Sequence, residues 1–464
     1  QKVENSGVIV SKNGYAIIAS GDEVHVRQGG TGLSVDVTDA SEGSKNGIGI
    51  KNLGTVDGED VMFSAGDAFA TAIQHSGTVN AGKSAKILSK GGVVDVSGEI
   101  TARNEAGQGG RIEVGGQGGR IKVDGTGLGP NSAPVASQTT ITETAALDAS
   151  SDSGDGGDIV VYSGGHTQFD GSAKVSSVNG NGGSLDVSGK TLDFENIDRI
   201  SLGEGGDFII DLEEVTINTD PDNTFNASWI ETHLDSGSNF LVKTVVRPWT
   251  DLPGNGNINV NANIQVPTNN RGDQGSLTLD AAGDIIVAGG KTVENLQEGF
   301  ASGESVFDFQ AGGDIILNGD VRHSGINGEV GRGTISMAAG GEVFLNNTII
   351  DANGGSVIID AQKLTLSGFS GGILSGLVGE NTANVDITAT NEVNFAGGNI
   401  QTFGGSDVFI DTGLLTNNTG STAVARTDLA ESFFGIRLPK PEGNGVGVNH
   451  IYGGIQSGGR ALFN

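Results

Sequence analysis

Four consecutive stretches decide the fold: LTLDAAGDIIVAGG (Leu277–Gly290), FDFQAGGDIILNGD (Phe307–Asp320), ISMAAGGEVFLNN (Ile335–Asn347) and SVIIDAQKLTLSG (Ser356–Gly368). Each of the first three is a short apolar run, a Gly-bearing turn with one acid, and a second apolar run. The acids Asp284, Asp314 and Glu342 fall 30 and then 28 residues apart, so the period is nearly regular and tolerates insertion. A strand-and-glycine unit repeating every 20–50 residues cannot bury its apolar face alone. It becomes stable when the next unit stacks on it, which predicts a solenoid. With strands this short and turns this tight, the expected fold is all-β: consecutive coils of a parallel β-helix.

Outward from this stretch the same design recurs. Residues 1–80 carry NSGVIV, GYAIIAS, DEVHVRQ, GIGIKN and EDVMFSAGD, period-2 or continuous apolar runs bounded by Gly, Asn or Asp. GDAFATAIQHSG (Gly66–Gly77) is Ala-rich but short and uncapped, and is read as a strand. Between residues 85 and 210 the phrase Gly-Gly-x-[Ile/Val/Leu]-x-Val recurs: GGVVDVSG (Gly91–Gly98), GGRIEVGG (Gly109–Gly116), GGRIKVDG (Gly118–Gly125), GGDIVVYSGG (Gly156–Gly165) and GGSLDVSG (Gly182–Gly189). The alternation places Ile112 with Val114, and Leu185 with Val187, on one face.

Four segments are expected: Gly-rich coils over 1–210, an extra-helical insertion over 211–256, coils again over 257–413, and a cap or docking tail over 414–464. The insertion holds both Trp residues and a short helix, Trp229–Leu234, capped by Asn226 or Ser228 with Glu231 in its first turn. The tail carries a second helix near Asp428–Phe434. The fold expected is therefore a β-helix with a small α/β interruption.

Composition narrows the function classes. The chain has 464 residues, 80 of them Gly and only 8 Pro, with 35% hydrophobic and 5% aromatic residues. That is too apolar for disorder and too poor in aromatics for a large globular core. There is no Cys, which excludes disulfides and thiolate sites. With 26 Lys+Arg against 56 Asp+Glu the net charge is −30, a field that repels nucleic acid. No apolar run approaches the ~20 residues of a membrane-spanning helix. The chain opens on Gln1 with no visible signal peptide, which reads as a processed form or a piece of something longer.

Three further phrases carry a resemblance: NSGVIVSKNGYAIIASGDEVHV (Asn5–Val26), GGSLDVSGKTLDFENIDRISLGEGGDFIIDLEEVTI (Gly182–Ile217), and IETHLDSGSNFLVKT with GNGNINVNANIQ (between Ile230 and Gln265). The chain resembles the exoproteins of bacterial two-partner secretion, the group of filamentous haemagglutinin and the high-molecular-weight adhesins. It departs from their pattern at Asp211-Leu212-Glu213-Glu214, where the family usually has Asp-Pro. The family's secretion domain and carboxy-terminal anchor are not evident. The resemblance implies a right-handed β-helix, non-catalytic, exported by an outer-membrane two-partner transporter. It would be displayed on or released from a Gram-negative-type cell as a fibrous adhesin that meets a host-cell or glycan surface. A structural filament or matrix subunit, built from copies of itself stacked end to end, is the first alternative. A β-helix polysaccharide-degrading enzyme is the second.

Candidate sites are few, and each has a plainer reading beside it. Arg271-Gly272-Asp273 is an integrin-type tripeptide, or simply a turn between coils. Asp152, Asp155 and Asp158 in SDSGDGGDIVV can offer oxygens to calcium, but the tandem repeat of calcium-binding nonapeptides is missing and a solvated turn is the plainer account. No other cofactor is indicated. Asn226, Asn346 and Asn417 open glycosylation sequons, which chance also supplies in an Asn/Thr/Ser-rich chain. The six His are scattered with no metal-ligand spacing, and acid pairs such as Asp207/Asp211 are what any acidic solenoid contains. No catalytic residue is assigned.

Overall fold

The structure, a computed structural model, describes residues 2–29, 32–38, 45–66, 69–104, 106–115, 135–194, 197–219, 225–244, 255–266, 275–297, 305–325, 333–368, 372–375, 384–397, 399–402, 408–417, 423–425, 433–437, 456–457 and 460–463. The chain divides into two compact units, Gln1–Leu212 and Glu213–Asn464. Each is a parallel β-helix.

In the first unit one face is a seven-stranded parallel sheet. Its strands are Val3–Asn5, Lys45–Asn52, Phe69–His75, Val93–Val96, Gln138–Ile141, His166–Phe169 and Thr191–Phe194. The strand expected within Gly66–Gly77 is thus present. Two further faces begin as one: the long strands Val8–Ser20, Thr55–Ala65 and Thr78–Ser89 pair in parallel across a register shift. Thr78–Ser89 then pairs with both Glu99–Ala102 and Arg111–Gly115, so the later coils continue the two halves as separate strands. A hairpin, Glu23–Gly29 with Gly32–Thr38, is antiparallel and stands outside these ladders.

Side chains pointing inward form columns. Ile112, Ile159, Leu185 and Phe208 lie in register, as do Val114, Val161 and Val187, and all are fully buried. One interior column is polar. Asn5 Nδ2 donates to Asn52 Oδ1 (2.8 Å), Asn52 Nδ2 donates to His75 Nδ1 (3.0 Å), and His75 Nε2–H donates to the Glu99 carbonyl (3.2 Å). These partners specify a neutral imidazole, and burial lowers the His75 pKa in the same sense. Asn52→Ala removes the donor to buried His75 and is expected to cost about 2 kcal/mol, measured by chemical denaturation.

The second unit repeats three faces per coil. Leu277, Phe307, Ile335, Val357, Val385 and Val408 occupy one column. Ile285, Ile315, Val343, Leu364 and Val393 occupy the next. Val293, Val321, Ile350, Ile373 and Ile400 occupy the third. All of these are buried. Here the chain departs from the expected segmentation. Val215–Ile217 pairs with Ile258–Val260, and Asn239–Thr244 pairs with Leu277–Ala281, so both strands of the presumed insertion belong to the coils. Among the described residues of this stretch the helix Ala227–Asp235 is what lies outside the ladders, and Asn226 caps it by accepting from the Ser228 amide (3.0 Å). The helix starts earlier than expected, so Glu231 lies beyond its first turn. There its carboxylate accepts the backbone N–H of Gln265 (2.7 Å) in Ile264–Val266, the first strand of the third face. A helix carboxylate thus satisfies an amide on the open edge that a preceding strand would otherwise have taken.

The tail also continues the ladders. Leu415–Asn417 pairs with Val385–Ala396, Phe433–Arg437 with Val408–Thr412, and Arg460–Phe463 with Phe433–Arg437. Phe433 and Phe434 are therefore strand, where a helix was expected; residues 428–432 lie outside the described residues.

Candidate functional site

The turn acids of the repeat form a continuous ladder. Asn257 Oδ1 accepts the Asp284 amide (2.8 Å), Asp284 Oδ1 accepts the Asp314 amide (2.8 Å), and Asp314 Oδ1 accepts the Glu342 amide (2.7 Å). Each side chain thereby holds the same backbone position one coil further on. The Gly before each acid is explained by the same contact: a Cβ on Gly283, Gly313 or Gly341 would collide with the carboxylate or amide oxygen from the preceding coil. The ladder ends at Lys363, whose ammonium lies 3.3 Å from Glu342 and 4.0 Å from Glu392. Asp314→Ala is expected to lose about 1–2 kcal/mol and to speed exchange of the Glu342 amide, with Asp314→Asn largely preserving both. Hydrogen-exchange mass spectrometry of that turn reads the difference.

Beside this ladder the outer face is apolar on three successive strands and polar on the two that follow. Ile286, Ile316, Phe344, Thr365 and Asn394 lie in register across five strands. Their neighbours in sequence, such as Ile315 and Leu317 or Val343 and Leu345, fill the core. Asp314, Ile316, Glu342, Phe344, Lys363, Thr365 and Asn394 together line a shallow depression of about 380 Å³. Two residues beyond Ile316 and Phe344 along the chain, Asn346 Nδ2 donates to Asn318 Oδ1 (2.8 Å). The sequence analysis did not single out this face. The signal was there: IIV, IIL and VFL are apolar at three successive positions, where a strand with one solvated face alternates.

The candidates drawn from sequence are dispersed. Asp152 pairs with Arg103 (2.6 Å), Asp155 Oδ1 accepts the Asn181 amide (2.9 Å), and Asp158 pairs with Arg111 (3.1 Å), so the three carboxylates turn to three different partners. Among the described residues no group of three or more His, Asp or Glu is arranged to hold a metal ion. Arg271, Gly272 and Asp273 lie outside the described residues, as does the phrase Gly118–Gly125. Asn226 is the helix cap. Asn346 is exposed, while Thr348 of the same sequon is buried and donates to the Leu317 carbonyl (2.5 Å). Asn417 ends the strand Leu415–Asn417. Asp207 and Asp211 share one side of the strand Asp207–Leu212, four residues apart. Besides His75, the histidines His233 and His323 are buried, and desolvation holds each of these two near a pKa of about 4.

By fold this is a parallel β-helical repeat protein. Among the described residues no helix is long and apolar enough to cross a membrane. No protein-family model matches the chain, and no curated protein matches it either.

Proposed function

We propose that this chain is the non-catalytic β-helical body of a secreted bacterial surface adhesin of the filamentous-haemagglutinin type, passed through an outer-membrane two-partner transporter and presented to a host-cell or glycan surface. The observation that carries the reading is the division of labour along the coils. Buried columns and the side-chain ladder at the turns hold the backbone in register, while the repeated outer faces are left to supply surface. Two of the phrases that carry the resemblance, Gly182–Ile217 and Ile230–Gln265, fall, among their described residues, largely on coil strands and on the helix Ala227–Asp235. The test is binding of the purified chain to cultured epithelial cells, with Asp273→Glu as the variant that isolates the tripeptide. Saturable binding supports the reading. Its absence, for chain that is folded by circular dichroism, sinks it.

A second reading, a filament subunit assembled from copies of this chain, is favoured by one feature. The strand Val8–Ser20 is paired along one edge only among the described residues, and Val8 and Val10 on it are 70% and 56% exposed. An open apolar edge is a template for another strand. Sedimentation velocity separates the two: concentration-dependent polymers that vanish in Val10→Lys support assembly, and a monomer at all concentrations refutes it.

A further inference from the structure

We propose that the outer face built on Ile286, Ile316, Phe344 and Asn394 binds a neutral, linear oligosaccharide. The proposal rests on the adhesin reading for its biological setting and on the geometry of this face for its chemistry. The floor is an apolar strip crossing consecutive coils, with Phe344 as its aromatic member. Strands in such a ladder are ~4.8 Å apart, close to the length of one pyranose. A chain of sugars laid across the strands would therefore meet an equivalent side chain at each ring. The C–H face of a sugar suits Ile316 and Phe344, and its hydroxyls suit what stands around them.

Those surroundings are hydrogen-bonding walls. On one side run Asp284, Asp314 and Glu342. In each of the first two, one carboxylate oxygen is committed to the backbone of the next coil. Glu342 Oε1 accepts from Thr365 and faces Lys363. Two residues beyond Ile316 and Phe344 along the chain run the paired amides of Asn318 and Asn346. Between them, the Oδ1 of Asn394 is buried and has no hydrogen-bond donor among the described residues, although the side chain lines the depression. That oxygen is closed to solvent as the side chain stands, and turning the amide outward into the depression exposes it to a donor from a ligand. A sugar hydroxyl is such a donor.

Charge then decides between glycan classes. The one cation lining the depression, Lys363, is held by Glu342 and Glu392, so no unpaired positive group is offered there to a sulfate or carboxylate. The acid wall and the chain's net charge of −30 both oppose an anionic polysaccharide. Hydroxyl groups, which can donate to carboxylates without carrying charge, fit where sulfates do not.

Isothermal titration of the full chain with cellohexaose, maltohexaose and chitohexaose, and separately with a heparin hexasaccharide, tests the assignment. The expected result is binding of at least one neutral hexasaccharide and none of heparin. Phe344→Ala should weaken that binding about tenfold, and Asn394→Ala several-fold, with both variants melting near the parent temperature. Asn394→Ala removes no core packing, so it serves as the test if Phe344→Ala folds poorly. Failure of all neutral probes, preference for heparin, or parental binding by both variants would each overturn the proposal. The two levels come apart cleanly. Cell binding without neutral-glycan binding removes this site and leaves the adhesin reading. Neutral-glycan binding that depends on Phe344, without cell binding, leaves the site and removes the adhesin reading.

Discussion

Between pH 6.5 and pH 4 the unit Glu213–Asn464 is expected to lose stability steeply, by up to about 3 kcal/mol for each of two histidines. His323 is fully buried, with its ring stacked on Phe307 at a centroid distance of 4.4 Å and packed against Gly333. His233 is buried on the helix Ala227–Asp235, with its ring 5.9 Å from that of Phe240. Desolvation lowers both pKa values to about 4 from an ordinary 6.5. The unfolded chain therefore takes up protons from pH 6.5 downward, while the folded chain does so only near pH 4. Stability rises with pH wherever the unfolded state holds more protons. The contribution is accordingly complete above the unfolded value, and it is lost as pH falls from there towards the folded value. A gap of about 2.5 pH units corresponds to roughly 3 kcal/mol per group. Neither tryptophan lies in Gln1–Leu212, and Trp229 sits on the helix of the second unit, so its fluorescence follows that unit. Denaturant titrations at pH 7, 5.5 and 4.5 should show falling midpoints, and His323→Leu should flatten the trend by about half. An unchanged midpoint down to pH 4.5 would show that the imidazoles find protons or partners without unfolding.

How far the sequence foretold these features depends on the kind of interaction. The coils were legible because burial imposes a period: Leu277 and Leu279, Phe307 and Phe309, Ile335 and Met337 alternate with polar neighbours as a half-buried strand must. The helix was legible because its cap is local, Asn226 to Ser228. What could not be read were contacts between residues about one coil apart, whose partner is set by how many residues the turns consume. Asp284, Asp314 and Glu342 were seen as a repeat, yet nothing in the string says that Asp284 and Asp314 each accept the amide of the next acid. The strands Val215–Ile217 and Asn239–Thr244 looked foreign because their flanks are rich in Pro and Trp, although their own alternation is ordinary. The outer strip through Ile316 and Phe344 was hidden for the opposite reason: a continuous apolar run reads simply as core.

Glycine shows the same division between what is local and what is not. Gly157 and Gly154 lie three residues apart in one turn and are expected to respond to alanine for unrelated reasons. Gly157 stands in register between Gly110 and Gly183, the second glycines of their phrases. A Cβ on Gly157 would lie 2.8 Å from the Gly110 amide nitrogen and nearer still to its carbonyl oxygen. One on Gly183 would meet the Gly157 carbonyl in the same way. These are backbone atoms. They are tied by the bonds that join the coils, from the Asp158 amide to the Gly110 carbonyl (2.9 Å) and from the Ser184 amide to the Gly157 carbonyl (3.1 Å). A methyl group can enter only if the coils separate, which breaks those bonds. Gly157→Ala should therefore cost about 3 kcal/mol and raise exchange at Asp158 and Ser184. Gly154 is the converse: its φ of +108° suits glycine, but nothing lies within 4 Å of where a Cβ would be. Gly154→Ala should cost only the local backbone strain, about 1 kcal/mol, with exchange at Asp158 and Ser184 unchanged. If the two substitutions were equally costly, the glycines would be acting through chain flexibility alone. The larger effect at Gly157 would instead mark the Gly-Gly phrase as the place where one coil's backbone rests directly on the next.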